Sequence, residues 1–545
     1  MTAVETIVFL LLLHVYYGAL ALKFITGAGH KSWEALVPFY NIYIMTKVIK
    51  RPWWWTILTI LPVVGNVMIV VIFFELMHMY RIANVKNTVL GVITFGLYFG
   101  YLGFTSKLDY HDRDLKIIRK YISEGFASIV FAVVAATLIR AYTFEAFTIP
   151  TPSMEKSMMV GDFLFVSKLQ YGSRLPMTPF SLPLMHNKVP FTEVKSFTDL
   201  VQFPNTRLPK ISEVKRNDPV VFNYPMEDYY PVDKREHYVK RCLAIPGDTL
   251  QIIDRRVIIN GKENELPARA DRQFQYFVRT KQYQLNPEFL KSEFDINMNS
   301  EAGDVSYFDG QYLPPSPAGF HEYLVTISDS KLEAFKAQAN VELVIPINSK
   351  VDHSQYPEDF PANLKLLLQK YPPLMVNSEI FPNPANSQQI PFKWTRDNYG
   401  PIYIPKAGMS VELTPNNYHL YKRIIEVYEA NEFRKDGNDF IINGERTTSY
   451  TFQQNYYWMM GDNRHNSLDS RYWGFVPEDH IVGKPVFIWM SYDKYAEGLF
   501  NKIRTDRVFT TVSGDSERRS YFWPFAILVG LGYGINYFWK KKKKA

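Results

Sequence analysis

Cysteine is almost absent from this chain of 545 residues, in which Cys242 is the only one. No disulfide can form within the chain, so burial of apolar side chains must hold its domains together even in an oxidising compartment. We interpret Cys242 as a packed small residue, because free cysteine is among the most buried residue types; a reactive thiol is the alternative.

Excess charge is also scarce outside one short segment. The formal net charge is +7, and the lysines at 540–544 account for five of these charges. The rest of the chain is close to neutral, which gives no reason to expect nucleic acid binding. The sequence likewise contains no pattern that indicates a metal or cofactor, and we expect none.

Long apolar runs are missing from about residue 145 to 520, which has the composition of a water-soluble domain. Near the two ends, by contrast, five runs approach the roughly 20 apolar residues that a membrane-spanning helix needs. These runs are 5–22, 55–75, 88–104, 125–143 and 521–539. The sequence therefore predicts about three transmembrane helices within 1–124, an anchor at 125–144, and a last helix with a basic tail at 521–545.

The basic residues of the loops predict how these helices are oriented. Lysine and arginine concentrate after the first run, before the fourth and after the fifth. Because such loops stay in the cytoplasm, the amino terminus and residues 145–520 are expected outside. Glu5 is the only charge before the first run, which favours a retained anchor, although Ala19-Leu20-Ala21 has the form of a signal-peptide cleavage site.

Short runs of β-forming residues, bounded by Pro, Gly and Asn, predict a mostly β domain of antiparallel type. The clearest are 162–166, 219–222, 237–245 and 456–460. Asn260-Gly261 and Asn443-Gly444 follow similar strands and predict two hairpin turns. Either the fold repeats a hairpin, or an insertion has split one sheet, which the chain re-enters with a similar strand.

The segment 265–400 is predicted to be that insertion. It is rich in Pro, Asn, Gln and Tyr, with helical patches near 286–294 and 331–341, and it contains no catalytic constellation. We expect an α+β cap or side domain here, inserted between the two parts of a catalytic β domain at 145–264 and 401–520.

Three features together indicate chemistry. Ser153 lies in a turn shortly after the fourth apolar run, Lys240 lies in an apolar strand, and Gly461 to Arg471 form a dense polar turn. A serine becomes a nucleophile when a base takes its proton, and a lysine can be that base only when burial lowers its pKa by several units. Each feature alone is typical of a turn, a surface lysine or a surface ion pair, so this interpretation depends on all three occurring together.

Four segments carry a resemblance to a known family: 147–154, 218–225, 238–248 and 461–477. In them the chain resembles type I (leader) signal peptidases, bacterial membrane-bound serine endopeptidases with a Ser/Lys dyad. The resemblance implies a signal-peptidase-like β fold that cleaves signal peptides from exported preproteins at small-x-small sites. Taken together with the five apolar runs and the charges of their loops, it predicts a multi-pass protein of the cytoplasmic (inner) membrane, with its catalytic domain on the outer (periplasmic) side.

Position by position, the resemblance implies Ser153 as the nucleophile and Lys240 as its general base. The supporting roles it implies are an oxyanion hydroxyl, a hydroxyl that orients the lysine, and a bracing ion pair, which fall on Thr151, Ser467, and Asp469 with Arg471. The residues it implies for a small apolar substrate pocket are Ile149, Met154, Met158 and Val239.

The chain departs from the family pattern at several places. Glu155 and Lys156 bring charge close to the pocket, His465 replaces a usual acidic residue, and Asn217 replaces a usual glycine. The spans before residue 125 and the insertion also exceed what is usual.

Expected partners are signal peptides and membrane lipids, with the secretion translocon as a further candidate. The alternative is a catalytically silent membrane scaffold that binds envelope proteins through 265–400.

Overall fold

The computed structural model describes residues 1–111, 124–281, 283–298, 310–312, 320–347, 380–382, 392–494, 496, 498 and 501–542. Contacts along the chain divide it into two compact units. The first comprises 1–145, 172–211 and 227–236; the second comprises 146–171, 212–226 and 237–545. Most of the basic loop expected before the fourth apolar run lies outside the described residues.

The first unit is helical. Its helices are α1 Ala3–Gly27, α2 Tyr40–Val48, α3 Trp55–Ile60, α4 Val64–Met79, α5 Val85–Ile93, α6 Leu97–Thr105 and α7 Glu124–Tyr142, with a short 3-10 helix at Ser32–Ala35. Thr2 caps α1 through a reciprocal pair of hydrogen bonds with Glu5. A core of apolar side chains from α1, α2, α4 and α6 holds the unit together.

Two of the predicted membrane helices are wrong as continuous helices. The run 55–75 is broken between α3 and α4, where Pro62 interrupts the helix and Val63 has a φ of 67°. The run 88–104 is broken between α5 and α6, where Phe95 and Gly96 have φ values of 52° and 95°. Hydropathy averaged over a run does not detect a reversal of this kind.

One helix among the described residues, α1, is long and apolar enough to cross a bilayer by length and composition. The apolar parts of the helices at Val64–Met79, Ser128–Tyr142 and Phe522–Ile535 are shorter. The run predicted at 521–539 is helical, as α12 Phe522–Lys542.

The second unit is mostly β, as predicted. Its strands, numbered along the chain, are β1 Phe144–Thr148, β2 Asp162–Ser167, β3 Pro219–Asn223, β4 His237–Ala244, β5 Thr249–Ile253, β6 Arg256–Ile259, β7 Lys262–Glu263, β8 Gln273–Thr280, β9 Gly310–Tyr312, β10 His321–Ser328, β11 Val341–Pro346, β12 Tyr399–Tyr403, β13 Ser410–Glu412, β14 Phe433–Asp436, β15 Asp439–Ile442, β16 Glu445–Thr447, β17 Ser449–Thr451, β18 Tyr456–Met460, β19 Val476–Pro477, β20 Ile481–Ser491 and β21 Thr510–Thr511.

The helices of this unit are short apart from α12. They are α8 Pro287–Phe294, α9 Leu332–Lys336, α10 Tyr418–Arg423 and α11 Ser470–Trp473. The unit also has a π turn at Ile424–Tyr428 and 3-10 turns at Pro152–Met154, Leu169–Tyr171 and Glu478–His480, while the 3-10 turn Val232–Lys234 belongs to the first unit.

The main sheet has the order β1-β2-β20-β3-β4-β18-β19, with β21 paired to β20. The four strands predicted from their composition are β2, β3, β4 and β18, and all are present. β4 lies between β3 and β18, and its residues 240–244 are all buried, as is the whole of β18. This arrangement puts Lys240 inside the sheet, directly opposite Val220.

Both predicted Asn-Gly hairpin turns are present. Asn260 and Gly261 join β6 to β7, Asn443 and Gly444 join β15 to β16, and all four residues have positive φ, as a two-residue turn of this type requires. The hairpins belong to different sheets. After the insertion the chain re-enters the first of these sheets with β12, which pairs with β5. The second hairpin is therefore a repeat of the first and not a strand of the same sheet.

The insertion is an α+β structure, as predicted. Its sheet has the order β11-β8-β10-β9 and packs with α8 and α9 around a small apolar core. Asn286 caps α8 as its sequence indicates. The helix predicted at 331–341 is shorter, because the β-branched run from Val341 pairs with β8.

Replacing Phe335 tests whether this small core stabilises the insertion. Phe335 is fully buried there and packs edge-on against Phe294. Phe335→Ala should destabilise the insertion by about 3–5 kcal/mol, and limited proteolysis should cut it faster. Phe289→Ala, at a position that is 42% exposed, is the matched control. Equal proteolysis of the two variants would contradict the packing described.

Candidate active site

Ser153 and Lys240 meet in the second unit. Ser153 lies on the 3-10 turn Pro152–Met154 between β1 and β2, and Lys240 lies on β4. Lys240 Nζ donates a hydrogen bond of 2.6 Å to Ser153 Oγ and one of 3.1 Å to the Val239 carbonyl. Both side chains are buried, Ser153 at 8% exposure and Lys240 at 4%. A base within 2.6 Å of a hydroxyl has the geometry needed to take its proton.

Burial shifts the titration of the lysine. Loss of hydration lowers the pKa of Lys240 to about 8, although the nearby carboxylates of Asp469 and Asp462 act in the opposite direction. A substantial fraction of this amine is therefore neutral close to physiological pH.

The polar turn 461–467 holds the backbone of the serine. Asn463 N–H donates to the Ser153 carbonyl over 3.2 Å, and Asn463 Nδ2 donates to the Pro152 carbonyl over 3.3 Å. Gly461 packs so closely that a Cβ there would lie 2.5 Å from the Ser153 carbonyl oxygen. Only a glycine fits at this point, and its absence of a side chain lets the turn approach the serine.

Asp469 and Arg471 form a fully buried ion pair below the turn. Arg471 Nη2 and Nε donate to the two Asp469 oxygens over 2.8 and 2.9 Å, and Gly461 N–H donates to the same carboxylate over 3.1 Å. Burial alone would raise the pKa of Asp469, but Arg471 and the surrounding hydrogen bonds outweigh it and lower that pKa. The pair thus remains charged and fixes the turn.

The other predicted site residues fall into two groups. The four pocket residues, Ile149, Met154, Met158 and Val239, pack in one apolar cluster with Leu164, Ile488 and Val512. Among the described residues, neither hydroxyl forms a hydrogen bond to Lys240. Thr151 is exposed, whereas the buried Ser467 hydroxyl faces the Asp469 carboxylate and helps to lower its pKa.

A second buried ion pair was missed by sequence reasoning. Arg241 Nε and Nη2 donate to Asp462 over 2.8 and 2.5 Å, and Ser157 Oγ donates to the same carboxylate over 2.6 Å. Arg241 and Asp462 lie in segments that carry the family resemblance, and that is the one sequence signal that marks them. Their pairing across 221 positions of chain could not be read from spacing.

The departures from the family pattern have structural partners. Lys156 is turned onto the insertion, where its Nζ donates to the Asp295 carbonyl over 2.5 Å and lies 3.2 Å from that carboxylate. Glu155 is buried and accepts from Val160 N–H over 3.2 Å. Asn217 has a φ of 67°. Glycine adopts this left-handed conformation without strain, which explains why the family usually has glycine here, and asparagine tolerates it better than most other residues.

His465 joins the turn to the insertion. Gln275 N–H, on β8, donates to His465 Nδ1 over 3.1 Å, so Nε2 carries the proton and donates to Asp397 over 2.9 Å. Burial and the charge of Arg396 lower the pKa of His465 to about 3, against the attraction of Asp397. The imidazole is therefore neutral and acts as a fixed structural link.

Comparison with known proteins shows the family of this chain. The family described as signal peptidase, peptidase S26, matches residues 122–305 and 401–490, half of the chain. The chain belongs to this family. It is accordingly a serine peptidase, a hydrolase. A second family, of unknown function, matches residues 33–113 of the helical unit.

The individual relatives have low sequence identity to this chain, but two of them align over most of its length. Signal peptidase I of Buchnera aphidicola (subspecies Baizongia pistaciae) is 24% identical over 74% of this chain and 88% of the relative. Signal peptidase I of Haemophilus influenzae is 23% identical over 72% and 77%. Signal peptidase I of Rickettsia typhi is 32% identical over 28% and 49%. The likeness to the first two therefore includes much more than the motifs.

Substituting Gly461 tests the close packing at the serine. The new Cβ of Gly461→Ala would lie 2.2 Å from Ser467 Oγ and 2.5 Å from the Ser153 carbonyl oxygen, which forces the turn and the serine apart. A displacement on the order of 1 Å can cost about 10²-fold in rate, so kcat/KM for peptide hydrolysis should fall by about that factor.

The control for this substitution is Gly530→Ala, where a Cβ meets no other atom within 4 Å. It should leave kcat/KM unchanged. If Gly461→Ala hydrolyses peptide as fast as Gly530→Ala, the turn does not constrain the serine as described.

Proposed function

We propose that this chain is a signal peptidase I. In this proposal it removes N-terminal signal peptides from exported preproteins, with Ser153 as nucleophile and Lys240 as general base. The observation that carries the proposal is the 2.6 Å hydrogen bond between Lys240 Nζ and Ser153 Oγ, made by a lysine whose pKa burial lowers to about 8.

The dyad would work in two steps. The neutral amine of Lys240 takes the Ser153 proton as Oγ attacks the scissile carbonyl, and the resulting ammonium donates a proton to the departing amine of the mature protein. Water then attacks the acyl-enzyme, with the same lysine as base, and releases the signal peptide. The carboxylates of Asp462 and Asp469 favour the ammonium form of Lys240 once it has taken the proton.

Substrate would be recognised by size. The apolar cluster of Ile149, Met154, Met158 and Val239 includes the residue that follows Ser153 and the residue that precedes Lys240, and it suits small side chains near the scissile bond. The Ser153 N–H and the exposed Thr151 hydroxyl are the proposed oxyanion donors. The orientation of the lysine by Ser467, and the bracing role of Asp469 and Arg471, belong to the same proposal.

We propose a multi-pass protein of the bacterial inner membrane, with the catalytic domain (145–264 and 401–520) on its outer side. Within the first unit, the chain that follows α7 contacts the starts of α1 and α4, which supports one membrane face for these three helix ends. Pro179 accepts from Val63 N–H at the start of α4, and Phe180 contacts Phe9 near the start of α1. Tyr142, at the end of α7, donates to the Pro62 carbonyl over 3.0 Å. Membrane lipids, and the translocon as a further partner, follow from this location.

The alternative is a silent scaffold that binds envelope proteins through 265–400. A scaffold would not need a desolvated lysine hydrogen-bonded to a serine, whereas Lys240 is buried, contacts Ser153 Oγ and has two arginine-paired carboxylates acting on its pKa. The two functions differ in whether the chain itself turns over substrate.

Replacing the dyad distinguishes them. In vesicles that contain the purified chain, Ser153→Ala and Lys240→Met should each reduce processing of a preprotein by at least about 10³-fold, because either change removes the activated nucleophile. Ser410→Ala and Lys262→Met, at exposed positions of the same unit, should process normally. Wild-type rates for both dyad variants would show that the proposed roles are wrong.

The pH dependence of processing tests the base. The active form contains neutral Lys240, so kcat/KM should rise with pH and level off above the folded-state pKa of about 8. A lysine in water would instead give a rate that keeps rising to about pH 10.4. A profile of that second kind would contradict a desolvated base.

A further inference from the structure

The segment 172–211, between β2 and β3, presents an unusual set of exposed apolar side chains. Phe191 is fully exposed and Leu200 is 89% exposed. The other large apolar side chains that the segment exposes are Leu182, Leu184, Val194, Leu208 and Ile211. Seven large apolar side chains exposed within forty residues are candidates for a contact surface, since water solvates them poorly.

This segment packs against the apolar helices of the first unit. The rings of Phe180 and Phe203 each lie 6.2 Å from that of Phe9 in α1. The Pro179 carbonyl accepts from Asn66 Nδ2 of α4 over 2.8 Å, and Ser173 Oγ donates to the carbonyl of Tyr142, the last residue of α7, over 2.5 Å. Because contacts with three helices hold the segment, its position along the axes of these helices is fixed.

That position is within the apolar part of α1. Phe9 lies six residues after the start of the helix, which is about 9 Å along its axis. The neighbouring Ile7, Val8 and Leu12 point outward and are exposed. If α1 crosses a membrane, as proposed above, a segment that packs on Phe9 lies at the level of the outer leaflet.

The polar groups of the segment match that location. A short hairpin closes through Val189 N–H donating to the Val194 carbonyl over 2.9 Å, and it presents Phe191 at its tip. Lys195 Nζ lies 5.6 Å from the ring of Phe197 and 5.9 Å from that of Tyr230, and it pairs with the exposed Asp199 over 3.0 Å, a surface pair that is worth little and that a phosphate can replace. Aromatic rings together with lysines are typical of the interface between lipid tails and head groups, where the amines reach the phosphates.

We infer that the segment 172–211 is an interfacial anchor whose hairpin tip, with Phe191, inserts into the lipid surface. The apolar side chains enter the outer edge of the acyl chains, and the lysines remain among anionic head groups. A second protein is the other occupant that such a surface could take. The continuity of the segment with α1 favours lipid, because the same layer would surround both.

Single-cysteine labelling can test the inference in the full chain. Cys242 is completely buried, and burial raises the pKa of its thiol, so a thiol-reactive probe labels an introduced cysteine selectively. Phe191→Cys carries the environment-sensitive fluorophore NBD in vesicles of phosphatidylethanolamine and phosphatidylglycerol. Leu12→Cys, on the exposed face of α1, is the membrane reference. Glu445→Cys, beside the charged Asn443–Gly444 hairpin, is the control for an exposed turn.

The probe at 191 should emit at shorter wavelength than the probe at 445. It should lose most of its emission to doxyl-labelled phospholipid and little to iodide in the buffer. The inference would be overturned if iodide but not doxyl lipid quenched the probe at 191, while doxyl lipid quenched the reference probe at 12. In that case α1 would still be a membrane helix. Protection from both quenchers would also overturn it, in favour of a protein contact.

Preprotein processing, measured in the same vesicles, reports on the proposed activity separately. The location of the probe does not depend on turnover. Failure of processing with lipid quenching at 191 would therefore contradict the proposed function and leave the anchor standing.

Discussion

The removal of one lysine from water is the constraint on which the rest of this active site depends. Lys240 is held in the middle of the main sheet, between β3 and β18, where its side chain is buried and loses its hydration. Desolvation lowers its pKa, and the carboxylates of Asp462 and Asp469 limit how far it falls. A completely apolar site would lower the pKa further but would weaken the amine as a base. The observed balance gives an amine that is both partly neutral and basic near pH 8.

The two carboxylates can remain charged in the core because each has its own arginine. Asp462 is paired with Arg241 and Asp469 with Arg471, and each arginine reaches its partner through two nitrogens. Removing either partner would leave an uncompensated buried charge, which typically costs about 3–5 kcal/mol. The pairs also fix the turn that holds the Ser153 backbone. Electrostatic tuning of the lysine and positioning of the serine therefore depend on the same four residues.

Sequence reasoning succeeded where the physical signal is local. The Asn-Gly turns, the cap at Asn286 and the apolar strand around Lys240 each depend on a few neighbouring residues, and each is present in the structure. It failed where the signal is an average or a distant pairing. Hydropathy did not register the break at Pro62, and nothing in the spacing joined Arg241 to Asp462. The proximity of Ser153 to Lys240 came from the family resemblance, since 87 residues separate them.

The insertion is part of the active-site scaffold and not merely attached to it. β8 donates through Gln275 N–H to His465, and Asp397, at the end of the insertion, accepts from the other nitrogen of that ring. An acidic residue at 465 could not accept from Gln275 N–H without placing a second carboxylate against Asp397. The neutral histidine therefore matches this particular insertion, as the ion pair of Lys156 with Asp295 does on the other side of the serine. Two departures from the family pattern near the dyad, Lys156 and His465, therefore each contact the larger inserted subdomain.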